Sequence, residues 1–101
     1  MENKNEVPLT NMLVYGQEGE EMVFPMKTSD LKIGDLIQVE AGEQIPTDFK
    51  ILVGELVVEK DGKDLIFQKG NIAVAPFLVK KGKAKGYVFS AMEDAIYAKK
   101  E

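Results

Sequence analysis

The chain has no cysteine and no histidine among its 101 residues. Their absence removes disulfide frameworks, thiolate nucleophiles, the usual zinc ligand sets and the commonest general base. Arginine is missing as well, since all 13 basic residues are lysine. No planar guanidinium fork is therefore present to grip phosphate, carboxylate or guanine, and with a net charge of −4 nucleic acid is not an expected partner. There is no glycine-rich phosphate loop, so neither ATP binding nor any other cofactor is expected, and no metal. No apolar run approaches the roughly 18 residues of a membrane-spanning helix, so the chain itself is not expected to insert in a bilayer. The first ten residues, MENKNEVPLT, lack the apolar core of a secretory signal. The expected compartment is the cytoplasm, or the cytoplasmic face of a membrane protein if the chain is part of one.

What remains is ordinary for a soluble domain, with 45% hydrophobic and 30% charged residues. The length suits one hydrophobic core, so residues 1–101 are read as a single domain, with residues 1–10 a flexible N-terminal segment. Strand signals dominate. Met12–Tyr15 and Glu21–Phe24 flank the glycine-bearing loop GQEGE and predict a hairpin. One helical turn is expected in the KTSDLKIGD stretch before a strand at Leu36–Glu40. Further strands are expected at Phe49–Val53, Leu56–Glu59, Leu65–Gln68, Asn71–Ala75, Phe77–Lys81 and Lys83–Phe89, with a tight turn in KDGKD. Ser90-Ala91-Met92-Glu93 fits a capping box, and Met92, Ala95 and Ile96 form an apolar stripe, which predicts a short C-terminal helix from Ser90. No internal repeat is visible.

Few residues are candidates for chemistry. Glu55 reads as a carboxylate exposed between two strands. Lys80, Lys81, Lys83 and Lys85 form a possible patch for an anion or a partner, against the alternative of a solvated turn around Gly82, with Lys83 and Lys85 on a wet strand face. Glu18, Glu20 and Glu21 suit an acidic hairpin tip better than a cation site, and Met12, Met22, Met26 and Met92 suit core filling better than soft-metal binding.

The stretch MLVYGQEGEEMVFPMKTSDLKIGDLIQVEAGEQIPTDFKILVGE, Met12 to Glu55, resembles the actuator domain of P-type cation-transporting ATPases. The likeness lies in a hairpin, a turn, Gly34-Asp35 opening a strand, the loop Gly42-Glu43, Ile45-Pro46 and Asp48, and a strand ending in Gly54-Glu55. Gly70-Asn71-Ile72 and Glu93-Asp94 are similar to later features of that family. The resemblance implies a mainly β fold, a small distorted jelly-roll or double-sheet barrel with a short C-terminal helix. The glycines and Pro46 would shape its corners, and Asp35 and Asp48 would accept hydrogen bonds from loop N–H groups.

In the family, a loop containing TGES supplies a glutamate that helps place the water attacking an aspartyl-phosphate on another domain. This chain has no TGES and no phosphorylatable DKTG motif. Counted forward from Asp48, Gly54-Glu55 ends the preceding strand; counted backward from VEKDGKDLIFQKGNI, it stands at the catalytic loop. Three functions follow. The preferred one is a non-catalytic actuator-like domain acting through domain or protein contacts and conformational coupling. The others are a phosphatase-assisting domain using Glu55, and a generic β-barrel module for a peptide or small ligand.

Overall fold

The computed structural model describes residues 8–89. The helix expected from Ser90 lies outside the described residues. Seven strands run in chain order: β1 (Leu9–Tyr15), β2 (Glu21–Lys27), β3 (Leu36–Glu40), β4 (Phe49–Lys60), β5 (Lys63–Gln68), β6 (Ile72–Ala73) and β7 (Val79–Val88). They form one antiparallel sheet in the order β2-β1-β3-β7-β4-β5, with β6 paired to β4. The mainly β reading therefore holds. The sheet is not a closed barrel, because β2 and β5 end it and no pairing joins them among the described residues.

Local signals place both hairpins where the sequence puts them. Gly16 and Glu20 close the first loop, the Gly16 N–H donating to the Glu20 carbonyl over 2.8 Å. In the second hairpin Lys60 pairs with Lys63, leaving only Asp61 and Gly62 in the turn, both at positive φ. That is the Asp-Gly chemistry a two-residue hairpin demands. The single turn of 3-10 helix at Thr28–Asp30 also matches expectation. β1 begins at Leu9, inside the segment expected to be flexible, and β2 runs on through Pro25 to Lys27. Pro25 is tolerated because β2 is an edge strand, where a missing N–H breaks no ladder.

Two expected strand breaks are absent. Phe49–Val53 and Leu56–Glu59 are one strand, β4, and Phe77–Lys81 and Lys83–Phe89 merge largely into β7. The burial pattern explains why they read as separate. In β4 the core-facing residues are Phe49 and Ile51, then Leu56 and Val58; in β7 they are Val79, then Ala84 and Val88. Each strand changes phase by one residue, because the β4–β7 register slips between Ile51 and Val53 and again between Val57 and Val58. A β-bulge does this: one extra residue turns every later side chain over. Asn71–Ala75 shrinks to the two-residue β6, followed by a cis Ala75–Pro76 bond.

The two bulges obey a local two-fold relation that the sequence hides. Ile51, Gly54 and Glu55 in β4 correspond to Val79, Gly82 and Lys83 in β7. Gly54 pairs with Ala84 as Gly82 pairs with Leu56, and Glu55 pairs with Lys83 at the centre. Both glycines have positive φ, +95° and +98°. A Cβ on Gly54 would stand 2.2 Å from the Lys83 carbonyl oxygen, and one on Gly82 would stand 2.2 Å from that of Glu55. Around this crossing the inner face packs Ile37, Val39, Phe49, Ile51, Leu56, Val58 and Val88 into one core.

Gly54→Ala should therefore lose both a favourable backbone and its space, destabilising by more than roughly 2 kcal/mol. Gly42→Ala, at φ +91° with open space around its Cβ position, should cost only about 1 kcal/mol of backbone strain. Urea midpoints of the two variants measure the difference, and equal midpoints would contradict the close crossing.

Candidate functional site

The residues shared with the family motif build three copies of one device. In Lys32–Asp35, Glu40–Glu43 and Gln68–Asn71 the third residue is a glycine at positive φ and the fourth carries a side-chain oxygen. The fourth residue's N–H donates to the first carbonyl, at 3.0, 3.1 and 2.8 Å respectively. Its side chain accepts from the first N–H in return: Lys32 N–H to Asp35 Oδ2 at 2.8 Å, Glu40 N–H to Glu43 Oε1 at 3.0 Å, Gln68 N–H to Asn71 Oδ1 at 2.9 Å. Each turn then docks on a strand through two backbone bonds. Gly34 donates to the Val88 carbonyl while Val88 donates to Asp35; Gly42 and Glu43 do the same with Val79, and Gly70 and Asn71 with Ile51. Ile51 and Val79 are the residues beside the two bulges, so two of the turns pin the strands where the register slips.

Ile45 and Asp48 anchor the loop between the second turn and β4. The Ile45 N–H donates to the Phe77 carbonyl and its side chain is in the core. Asp48 is wholly buried, and its Oδ1 accepts from the Ala75 N–H at 2.9 Å, next to the cis Ala75–Pro76 bond. Pro46 is half-buried between them and lines a cleft of about 350 Å³. The cleft opens where β1 and β3, paired only at Asn11–Gln38 and Met12–Ile37, move apart. Leu9, Thr10, Gln38, Glu43 and Pro76 contribute to its wall. Asp35 and Asp48 thus accept backbone N–H bonds as the turn chemistry anticipates.

Glu55 stands mid-strand, with Lys83 of β7 on one side and Gln68 of β5 on the other. The next chain reversal is the Asp61-Gly62 turn, so no projecting loop separates Gly54 from Gly70. The four lysines do not form one free patch. Lys80 Nζ lies 2.6 Å from Asp64 Oδ1 and 3.9 Å from Glu59, while Lys85 Nζ reaches both carboxylate oxygens of Glu21, at 2.9 and 2.8 Å. Lys81 and Lys83 are exposed. Among the described residues no cluster of carboxylates is arranged to hold a metal ion, and no buried side-chain N or O lacks a partner.

The Glu21 contact went unseen in the sequence because it joins residues of non-adjacent strands across the outer face. Glu21 also accepts from the Tyr15 hydroxyl at 2.8 Å. The Lys85 ammonium first, and the Tyr15 hydroxyl second, hold the Glu21 carboxyl below the usual glutamate range. The same bond to Glu21 raises the Lys85 ammonium, and the hydrogen bond to Glu21 raises the Tyr15 phenol. A depressed carboxyl contributes stability above its unfolded-state value and loses it as pH falls through its folded value. The stability difference between the wild type and Glu21→Gln should accordingly be largest near neutral pH and shrink on acidification. Urea midpoints between pH 7 and pH 3 report this, and a difference independent of pH would contradict the ion pair.

Comparison with known proteins agrees with the architecture. No curated protein sequence matches the chain. Two crystal structures of a zinc-transporting PIB-type ATPase share its fold. The one in the E2.Pi state superposes with a TM-score of 0.72 at 18% identity, covering 91% of this chain and 15% of that one. The one in the E2P state superposes with a TM-score of 0.69 at 17% identity, covering 88% and 15%. The chain thus spans about 15% of the length of these transporters. The family model of the P-type ATPase actuator domain matches residues 9–99, nearly the whole chain. With its docked glycine turns and bulged β4–β7 crossing, the chain belongs to the P-type ATPase actuator domain family.

Proposed function

We propose that the chain is a non-catalytic actuator domain, which works by contact with other domains of a transport ATPase or with a protein partner and couples their conformational changes. It would do so on the cytoplasmic side of the membrane, where the actuator domains of P-type ATPases lie. The observation that carries this is the continuity of β4 through Gly54-Glu55 into the Asp61-Gly62 turn. A carboxylate that orients water on a neighbouring domain must be displayed beyond the surface of its own domain, within about 3 Å of that water. Glu55 is fixed in a three-strand ladder, and the threonine and serine that flank the family's glycine-glutamate are replaced by Val53 and Leu56.

The remaining motif residues support a scaffold role. Gly34, Asp35, Gly42, Glu43 and Asp48 spend their hydrogen-bonding capacity on backbone turns and loop anchors, Gly54 on the strand crossing, and Ile45 and Pro46 on packing. What the fold offers to a partner is shape and surface rather than a reacting group.

The test uses a P-type ATPase from which its own actuator domain has been removed. The enzyme is phosphorylated with ATP, this chain is added in trans, and phosphoenzyme decay is followed by acid quench. Wild type and Glu55→Gln should bind alike and leave decay unchanged, and the substitution should alter stability by less than about 0.5 kcal/mol. Faster decay with wild type that is lost in Glu55→Gln would establish the phosphatase-assisting alternative instead.

A further inference from the structure

The inner face of the β1–β2 hairpin continues the core beyond the body of the domain. Met12 pairs with Ile37, a wholly buried core residue, and on its other side with Phe24; Val14 pairs with Met22. These cross-strand partners share a face. Met26, further along the same face of β2, packs on the core. Beyond Met26 the cover thins: Phe24 is 50% exposed and Met22 37%. An apolar strip of Met12, Val14, Met22 and Phe24 thus runs on from Ile37 and Met26 along one face and is open on the β2 side.

We propose that this strip is a docking surface for a basic amphipathic helix. The inference rests on the contact-module reading and names the surface through which that module works. Three observations select the occupant. Pro25 removes a donor from the middle of the β2 edge, which disfavours addition of a strand and leaves side-chain packing as the mode of contact. Two of the four strip residues are methionines, whose flexible thioethers mould to an incoming helix face. The strip ends at the acidic tip residues Glu18 and Glu20, which no lysine engages among the described residues, whereas Glu21 turns to the opposite face and bonds Lys85. With a net charge of −4 on the chain, lysines or arginines at the end of the helix lying over that tip meet opposite charge.

The probe is a 14-residue peptide of leucine and lysine with leucines on one helical face, compared with its leucine–glutamate counterpart. Methionine methyl NMR reads the site directly, since Met12, Met22 and Met26 report along the hairpin. The basic peptide should shift the Met22 and Met12 methyls saturably. Its affinity should fall at least tenfold in Phe24→Ser and in Met22→Lys, and stay the same in Val53→Ser on the opposite face. Equal binding of the acidic peptide, or no loss in both hairpin variants, would overturn the proposal. Shifts confined to residues elsewhere would overturn the surface assignment while leaving the contact-module reading standing. A dimer seen by sedimentation before any peptide is added, and abolished by Phe24→Ser, would also overturn it, with a second copy as the occupant.

Discussion

At the crossing of β4 and β7 two backbones approach so closely that neither Gly54 nor Gly82 has room for a methyl group. The rest of the structure depends on that approach. Each glycine lies at positive φ against the partner's carbonyl, each follows a bulge, and the pairing on one side of Glu55–Lys83 repeats on the other. Bulges raise local twist, and here two of them fall within one pair of long strands, of 12 and 10 residues. This one strand pair serves several neighbours: β6 and β5 at the two ends of β4, and β3 along β7. The docked turns at Ile51 and Val79 fix the slipped registers, and the third turn, at Val88, closes the far end of β7.

The same crossing fixes where Glu55 stands. Glu55 occupies the centre of the two-fold relation, and its carbonyl is the one that Gly82 must clear. A residue so placed is part of the ladder, and moving it outward would break the pairing on both sides. Lys80 and Lys85 are likewise tied, to acidic partners across the sheet. On the surface, the β1–β2 hairpin leaves Met22, Val23 and Phe24 37%, 44% and 50% exposed.

Much of this was legible in the sequence because it is written in short-range turn chemistry. Asp61-Gly62 announces a two-residue hairpin, and Gly34-Asp35 and Gly42-Glu43 announce turns whose side chains bond back to the main chain. Gly54 and Gly82 misled because glycine between two apolar runs reads as a corner, whereas here it is a bulge inside a strand whose alternation has changed phase. The two-fold relation was hidden because ILVGE and VKKGK share only the glycine that the geometry requires. The Lys85–Glu21 pair was beyond reach for another reason: it joins residues 64 apart that only the strand order brings together. The open cleft by Pro46 likewise depends on β1 and β3 separating after two residue pairs, which no local pattern encodes.

Native-state hydrogen exchange tests most directly whether the β4–β7 crossing holds the fold together. The amides of Ile51, Val79 and Val88, each bonded to a docked turn, should exchange only through global unfolding and be among the slowest in the chain. Amides of β2 should exchange faster through local opening of the edge hairpin. If the β2 amides prove as slow as Ile51 and Val79, or if those two exchange through local fluctuations, the crossing is not the element on which the structure depends.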